Sequence, residues 1–436
     1  MLLVVAHKKL ELDYSMGVQN VNFDDYFKND LMGLYEVLIA SNLTDKLTIA
    51  SKSMYEYLKN WYKPHFNKKI SRNFYNIDKF FRKSYFGGRV ELIKQHGADL
   101  FYYDVNSLYP SVMRDNVYPL IKKDNFDFID YFEKNRLGIY YINAFCPSNI
   151  KIPLLPLRIN KKLIFPSGYF SGVYTSQEIL KAKKIGYKID VVSGCAFKEC
   201  DYIFKGFIDY YYEIKKNAVG ARKEIAKMYL NSLYGKFGQK RLNYNYEFIN
   251  QKDMQKDKIY SMCGSMLLDK NETWDKYSMY MHSEISSFIT ANARLKLYSI
   301  LEQCGMNNVY YYDTDSVFTS IPQKTSLALG DLKEVSRIKE FIGIGAKLYA
   351  YIDNKDKIHI TAKGFDVKSL KYTDFEKALK GELAFIHTTK SGIVKFKNGI
   401  KNNNIATSYT LERTLKNPYS KRILKDNDSI PITISI

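Results

Sequence analysis

The chain has 436 residues, and 66 Lys and Arg against 46 Asp and Glu leave a formal net charge of +20. With 46% hydrophobic and 26% charged residues, the composition is typical of a folded protein and too apolar for a disordered one. A basic surplus of this kind favours a partner rich in phosphates over an acidic membrane surface, because no apolar run reaches the ~18–20 residues of a membrane-spanning helix.

The first hundred residues predict a helix, a linker and a strand. Apolar side chains recur at helical spacing over 21–40 and predict a helix there. A basic segment at 63–84 leads into Tyr85–Arg89, where two adjacent glycines interrupt regular structure and indicate a linker. The apolar run 99–103 is predicted to be a strand that ends at Asp104.

The remaining residues mix both kinds of element. Prolines interrupt strand-like runs over 117–170, a long helix is predicted over 206–234 and closed by Gly235, and the polar stretch 240–280 is typical of an inserted hairpin. The elements predicted after it are a helix at 283–303 and strands at 308–312, 347–352 and 357–362. Because helices and strands interleave without regular alternation, we predict a mixed α+β fold.

The cysteines, histidines and aromatic residues say less about function. Five cysteines form no C-x-x-C pair, which is typical of free thiols in a reducing compartment, and the six histidines show no metal-binding spacing. The 38 Tyr and 26 Phe, beside only 2 Trp, suit base stacking. An A+T-rich gene accounts for the same bias, so this feature leaves both explanations open.

Two aromatic runs end in acidic residues. LFYYDVNSLYP (100–110) contains Asp104, and VYYYDTDSVF (309–318) contains Asp313 and Asp315. An isolated Asp-x-Asp is more often a turn than a metal site, but these apolar flanks predict a half-buried hairpin, where unpaired carboxylates are costly. Divalent cations compensate such charges, and all-oxygen ligands favour Mg²⁺ or Mn²⁺ over Zn²⁺. A pair of such ions about 4 Å apart suits in-line displacement at phosphorus.

The long predicted helix carries a row of polar side chains. At 100° per residue, Lys223, Lys227, Asn231 and Tyr234 fall within about 80° of one another. The residues on the opposite, packed side are Ala218, Ala221, Ile225, Met228 and Tyr229. A solvated basic face is one explanation of this row. The other is a nucleotide site, in which lysine holds the triphosphate and tyrosine closes over the base.

Three motifs resemble those of family B DNA polymerases and occur in the same order. Motifs A, B and C are matched by Asp104-Val105-Asn106-Ser107-Leu108-Tyr109-Pro110, by Lys227-x-x-x-Asn231-Ser232-Leu233-Tyr234-Gly235 and by Asp313-Thr314-Asp315-Ser316. Tyr85-x-Gly87-Gly88 resembles the linker between exonuclease and polymerase domains in the protein-primed subgroup. The gaps after motifs A and B lie where that subgroup carries two terminal-protein insertions. The resemblance covers about residues 20–370, and a reverse transcriptase would show Tyr-x-Asp-Asp instead.

The resemblance implies a right-hand polymerase with palm, fingers and thumb, preceded by the remnant of an RNase H-like 3′–5′ exonuclease domain. The implied divisions are an exonuclease remnant at 1–80, a first palm part with linker, motif A and insertion at 81–205, fingers with motif B at 206–239, a second insertion at 240–282, a second palm part with motif C at 283–365, and a thumb at 366–436.

The resemblance also implies roles for individual residues. Asp104, Asp313 and Asp315 would be catalytic, with two Mg²⁺ (or Mn²⁺) ions held by Asp104, Asp315 and the Val105 carbonyl. The dNTP-binding residues would be Tyr109, which excludes a 2′-hydroxyl, Lys215 and Lys227, which hold the triphosphate, and Asn231 and Tyr234, which line the nascent base pair. The DNA-binding residues would be Tyr85, Gly87, Gly88 and Lys363.

Two positions depart from the family pattern. Phe365 stands where the family has the tyrosine of Lys-x-Tyr, so only Lys363 is carried over. Tyr26-x-x-x-Asp30 resembles the third exonuclease motif, but no Asp-x-Glu precedes it. We therefore expect a truncated or decayed exonuclease domain without proofreading.

The leading hypothesis is a DNA-directed DNA polymerase that binds primer–template DNA and dNTPs and is primed by a terminal protein. The alternative is a catalytically inactive, nucleic-acid-binding relic of one. An exonuclease is disfavoured because the partner carboxylates are missing, and no membrane partner is expected. Likeness to linear-plasmid and phage replicases suggests a mitochondrial plasmid, with the host cytoplasm as the alternative for a phage or cytoplasmic plasmid.

Overall fold

The computed structural model describes residues 48–66, 73, 75–239, 242–249, 261–263, 266–274, 282–382, 384–393, 406–415 and 419–435. The helix predicted at 21–40, the residues Tyr26 and Asp30, and therefore most of the predicted exonuclease remnant lie outside these ranges.

The helices of the described residues are distributed along the chain. They are α1 Ile49–Tyr57, which runs through a π-helical turn Leu58–Tyr62 into α2 Lys63–Phe66, then α3 Tyr75–Lys83, α4 Leu108–Asp115, α5 Ser176–Lys184, α6 Lys205–Asn217, α7 Gly220–Phe237, α8 Ser283–Cys304 and α9 Tyr372–Leu379.

The strands lie between them. They are β1 Val90–Leu92, β2 His96–Val105, β3 Tyr118–Pro119, β4 Phe126–Ile129, β5 Gly138–Cys146, β6 Leu157–Ile159, β7 Lys162–Ile164, β8 Ser167–Thr175, β9 Lys188–Phe197, β10 Cys200–Asp201, β11 Leu242–Ile249, β12 Ser261–Cys263, β13 Met266–Trp274, β14 Val309–Asp313, β15 Ser316–Thr319, β16 Leu332–Gly345, β17 Leu348–Asp353, β18 Ile358–Ala362, β19 Ala384–Ile393, β20 Ala406–Leu415, β21 Arg422–Lys425, β22 Asp428–Pro431 and β23 Thr433–Ile434. The mixed α+β class predicted from the sequence is confirmed.

Two sheets organise most of the chain. The larger is a seven-stranded antiparallel sheet in the order β1-β14-β15-β2-β16-β17-β18. The second has five strands in the order β23-β8-β5-β9-β4, in which β23, from the end of the chain, runs parallel to β8. Strands β11, β12 and β13 form a separate three-stranded sheet.

Helix α8 is the centre of the main core. Its apolar side chains, among them Phe288, Ile289 and Leu297, are fully or almost fully buried and cluster with residues of α4, α7 and one face of the seven-stranded sheet. Burying one such side chain stabilises the fold by about 1.5–3 kcal/mol. The opposite face of the sheet packs as an aromatic cluster that includes Tyr311, Phe318 and Phe341. The central strands are thus covered on both sides and hold their ends rigidly.

Three predictions about elements were wrong. The helix predicted over 206–234 is two helices, because Ala218 and Val219 are extended and Gly220 has φ +61°. Only glycine adopts such a φ without strain. Gly220 was therefore the feature of the sequence that could have predicted the break between the two helices. The second helix also continues past Gly235 to Phe237. The inserted hairpin is a three-stranded sheet, and β16 was not predicted at all.

The packed side of α7 also differs from the prediction. Ala218 lies outside the helix, and Ile225 and Met228 are only half-buried. The buried residues of this helix are Ala226, Tyr229, Leu230, Leu233 and Phe237. Lys223, Lys227 and Asn231 are exposed, as the predicted polar row requires.

Candidate active site

Asp104 and Asp315 are brought together by the pairing of β2 with β15. Asp104 lies opposite Ser316 in the ladder, and the Val105 N–H donates to the Asp315 carbonyl oxygen at 2.7 Å. The pKa of Asp315 is raised to about 6, first by burial and then by the negative charge of Asp104. The two carboxyl groups therefore share one electrostatic environment that favours either a proton or a cation.

The turn between β14 and β15 is held by the predicted linker. Thr314 has φ +59°, and its N–H donates to the Arg89 carbonyl at 2.7 Å. A Cβ atom added at Gly88 would lie 2.8 Å from the Thr314 side chain, whereas one at Gly87 would meet nothing within 4 Å. Gly88 thus permits a close approach of linker and turn. Packing therefore explains why one of the two motif glycines has no side chain.

Asp313 has hydrogen-bonding partners of its own. The Lys347 Nζ lies 2.6 Å from Asp313 Oδ2, and the Tyr311 and Thr314 hydroxyls donate to the same carboxylate at 3.3 and 3.1 Å. The structure therefore brings together Asp104 and Asp315, and Asp313 lies near enough to raise the pKa of Asp315 while it is paired with Lys347. Among the described residues, no group of three His, Cys, Asp or Glu side chains is assembled as a metal site.

Two lysines at this site were missed by the sequence analysis. Lys333 of β16 lies opposite Asp104, with its Nζ 3.2 Å from Asp104 Oδ1. Lys347 connects β16 to β17 and has φ +59°. Neither lysine belongs to a motif, and both reach the acids only through β16. The two lysines could have been found only if strand β16 had been predicted from the sequence.

The Asp104–Asp315 pair suits a hard divalent cation. Its donors are carboxylate oxygens, which Mg²⁺ and Mn²⁺ prefer. Burial and then the charge of Asp104 raise the pKa of Asp315, and Lys333 opposes this shift only in part. A bound cation would provide the missing positive charge, so the residues present fit such an ion.

A group of lysines faces the acids from the helices. Lys215 of α6 donates from Nζ to the Ser107 Oγ at 2.6 Å. Its pKa is lowered by burial and then by the charges of Lys227, Lys333 and Lys223, while Asp104 opposes the shift. Four ammonium groups thus repel one another in one region, and a polyanion bound there would relieve that repulsion.

Three tyrosines from three motifs lie close to one another and to Asp315. The rings of Tyr109 and Tyr234 are stacked, and the pKa of Tyr85 is raised by burial and then by its neighbour Tyr234. Ser286 of α8 donates to the Tyr234 carbonyl at 2.7 Å. Asn231 lies on the same helix as Tyr234 and is exposed. The structure therefore groups the aromatic residues predicted to bind DNA and nucleotide.

Arg294 of α8 holds the linker in place through hydrogen bonds to its backbone. Its Nη1 donates to the Phe86 and Gly87 carbonyls at 2.8 and 3.0 Å, and its Nη2 donates to Glu178 Oε1 at 2.7 Å. All of these side-chain contacts are buried or nearly so, which makes the position of the linker strongly determined. Helical periodicity indicated only that α8 is apolar, so this arginine was not predicted as a site residue.

Lys363 lies next to the Asp313–Lys347 pair through the backbone. Its N–H donates to the Lys347 carbonyl at 2.9 Å, and its side chain is exposed. Phe365, which replaces the family's tyrosine, is half-buried against the cluster of Ile342 and Phe375. Packing accounts for an apolar residue at this position.

Comparison with known proteins identifies the family. Residues 20–320 match DNA polymerase type B, organellar and viral. The chain belongs to this family. A probable DNA polymerase of Podospora anserina is 30% identical over 85% of this chain and 37% of its own length, and one of Neurospora intermedia is 30% identical over 84% and 42%. The DNA polymerase of Bacillus phage phi29 is 28% identical over 72% of this chain and 56% of its own. The chain thus spans less than half the length of the two fungal relatives.

Solved structures show the same fold. The phi29 DNA polymerase in complex with primer–template DNA and incoming nucleotides has a TM-score of 0.75 at 20% identity, covering 95% of this chain and 78% of its own. Its binary complex with primer–template DNA gives 0.73 at 19% identity. The family B chain therefore has the right-hand polymerase fold predicted from its motifs. Polymerases of family B use divalent metal ions, in keeping with the acidic pair. No helix of the described residues could cross a membrane.

Proposed function

We propose that this chain is a DNA-directed DNA polymerase, which joins the primer 3′-hydroxyl to the α-phosphate of a dNTP and releases pyrophosphate. The observation that carries the proposal is the meeting of Asp104 and Asp315 beside the lysines Lys215 and Lys227. The acidic pair suits divalent cations and the lysines suit a polyphosphate, as nucleotidyl transfer requires. The family, and a neighbour solved with primer–template DNA and nucleotides, support it.

The acidic pair would hold the metal. Asp104, Asp315 and the Val105 carbonyl are the ligands we assign to two Mg²⁺ ions, with Mn²⁺ as a substitute. When bound, these ions supply a lowered pKa for the attacking hydroxyl and charge neutralisation for the leaving pyrophosphate. Lys333 neutralises part of the charge of Asp104. Asp313 would act beside them while remaining paired with Lys347.

The lysines and tyrosines would bind the nucleotide. Lys215 interacts with the charges of both Asp104 and Lys227, and these two lysines would hold the triphosphate over the acidic pair. The stacked Tyr109 and Tyr234 offer a flat apolar surface to the sugar and base of the incoming nucleotide. Asn231, exposed on α7, would line the nascent base pair, and Tyr85, Gly87, Gly88 and Lys363 would contact DNA.

We further propose the sequence-derived domain divisions and priming by a terminal protein. The strands β4, β5, β8 and β9 after α4 and the three-stranded sheet after α7 support this proposal, because the two predicted insertions fall at these places in the chain. Priming by a terminal protein implies that the replicated molecule is a linear DNA element. The family description, organellar and viral, and the fungal relatives support a mitochondrial plasmid.

An inactive nucleic-acid-binding relic is the second candidate, and one observation favours it. Two of the three acids are already paired with lysines, Asp104 with Lys333 and Asp313 with Lys347. Primer extension with Mg²⁺ and dNTPs separates the candidates, using the chain and its Asp315→Asn variant. We expect the wild-type chain to extend the primer and the Asp315→Asn variant not to extend it. We expect both to bind primer–template with equal affinity. Binding by both without extension by either would favour the relic.

A further inference from the structure

A line of polar contacts joins helix α6 to the segment after β2. Arg114 Nε donates to Asp209 at 2.5 Å, Asn106 Nδ2 donates to the Tyr212 hydroxyl at 2.8 Å, and Lys215 Nζ donates to Ser107 at 2.6 Å. The three α6 residues are spaced three apart, so they lie along one face of the helix. Phe207 and Ile208 bury the apolar face of α6 in the main core, and this polar face links the helix to the acidic strand end.

Asn106 is itself fixed from the other side. Its Nδ2 also donates to the Leu327 carbonyl at 2.7 Å and to the Ala328 carbonyl at 3.2 Å. The backbone of Asn106 exchanges two hydrogen bonds with the same loop, from Gly330 N–H and to the Asp331 carbonyl, both at 2.8 Å. These contacts fix the orientation of the amide group, which presents an N–H toward α6.

The Tyr212 hydroxyl accepts this hydrogen bond from Asn106 Nδ2, and the Tyr212 ring lies close to the Lys215 side chain. Its hydroxyl donates to the Leu327 carbonyl at 3.4 Å, and the Lys215 Nζ lies 5.4 Å from the centre of its ring. The hydroxyl anchors the helix to the loop, and the ring attracts the ammonium group through its π face. Loss of the hydroxyl frees one turn of α6 while leaving the ring available.

We propose that Tyr212 is a positioning residue that places the Lys215 ammonium for the triphosphate of an incoming nucleotide. This inference rests on the polymerase function proposed above. Tyr212 touches no reacting atom and acts only through Asn106, Leu327 and Lys215. Its loss should weaken nucleotide binding and leave primer–template binding unchanged, because its contacts lie between α6 and the acidic strand end.

The test compares Tyr212→Phe with Tyr210→Phe. Tyr210 lies on the same helix, its side chain is 52% exposed, and its ring contacts with Trp61 and Tyr211 survive the loss of a hydroxyl. Removing one hydrogen-bonded hydroxyl from Tyr212 should raise the KM for dNTP about 3–10-fold in single-nucleotide addition, with kcat changed less than twofold. Tyr210→Phe should keep the wild-type values.

The two hypotheses fail in different ways. Equal KM values for the two variants, in an active chain, would overturn the role of Tyr212 and leave the polymerase function standing. If no chain extends the primer, the polymerase function fails. The dNTP dissociation constant is then measured on a complex with dideoxy-terminated primer–template. A Tyr212→Phe value matching that of Tyr210→Phe would again overturn the role, and a value about 3–10-fold higher would support it.

Discussion

The rings of Tyr109 and Tyr234 are stacked, with centroids 4.6 Å apart and planes only 1° from parallel. Tyr109 lies in the first turn of α4 and Tyr234 near the end of α7, so the stack joins the strand end that carries Asp104 to the helix that carries Lys227. Both rings are half-buried. Each ring is therefore held in place by the other before any nucleotide arrives.

The first prediction concerns sugar discrimination. Replacing Tyr109 by Val removes the ring that would stand beneath the sugar, and so removes the steric block to a 2′-hydroxyl. We expect the preference for dNTP over rNTP to fall by at least about tenfold, since an excluded small group is worth ~1–3 kcal/mol. The measurement is kcat/KM for each nucleotide. Tyr103→Phe, which keeps its buried ring, is the control, and unchanged discrimination in Tyr109→Val would contradict the assignment.

The second prediction uses the two linker glycines as a matched pair. A methyl group at Gly88 would lie 2.8 Å from Thr314, while one at Gly87 meets nothing within 4 Å. Gly88→Ala should therefore displace the Asp313–Asp315 turn and lower the free energy of unfolding by about 1–3 kcal/mol. Gly87→Ala should change it by less than about 0.5 kcal/mol. Urea unfolding followed by circular dichroism measures both, and equal values would show that the turn adapts freely.

Much of the central framework is readable from the sequence. Strong apolar runs with clear ends predicted β14 and α8 to within one or two residues of Val309–Asp313 and Ser283–Cys304. The resemblance of the motifs to those of family B implied that Asp104 and Asp315 act together, and the pairing of β2 with β15 brings them close. The two elements follow from local periodicity, which a single sequence displays, whereas the pairing of the acids was implied by the resemblance alone.

What the sequence did not show depends on long-range pairing. Lys347 reaches Asp313 across 34 residues, and only the pairing of β16 with β17 places it there. The first part of strand β16 carries exposed charged side chains, among them Lys333, Glu334 and Arg337, so the strand does not begin with an apolar run. The break at Val219 likewise arises from one backbone conformation, at Gly220, which periodicity passes over.

The third prediction concerns a buried charge cluster behind the active-site turn. Glu91 of β1 accepts from Arg89 at 2.6 Å and from the Tyr312 hydroxyl, and it lies 3.5 Å from Arg422 near the end of the chain. All three charged side chains are almost completely buried. Glu91→Gln leaves two buried cations without a counter-charge, and we expect it to cost about 3–5 kcal/mol of unfolding free energy.

The exposed pair Arg337–Glu334 supplies the control. Glu334→Gln breaks a 3.0 Å contact at the surface and should cost less than about 1 kcal/mol. Because Arg89 lowers the pKa of Glu91 in the folded chain, the stabilisation is fully present above about pH 5 and is lost as the pH falls toward the folded-state pKa. The difference in unfolding free energy between the wild type and Glu91→Gln, measured by chemical unfolding, should therefore stay constant from about pH 5 to 7 and shrink below about pH 4, with a slope that approaches one proton.

The last prediction separates the two acids of the β14–β15 turn. Asp315 shares its environment with Asp104, whereas Asp313 is bound to Lys347 at 2.6 Å and to two hydroxyl groups. Asn is isosteric with Asp and removes only the charge. Asp315→Asn should therefore abolish the metal-dependent step and lower kcat by at least about 10²–10³-fold, the loss typical of a group that stabilises transition-state charge. Asp313→Asn keeps a hydrogen-bonding partner for Lys347 and should cost about tenfold or less, with primer–template affinity unchanged in both. Single-turnover nucleotide addition over a Mg²⁺ titration measures the difference. Equal losses in the two variants would mean that Asp313 leaves Lys347 and joins Asp104 and Asp315 when DNA and nucleotide bind.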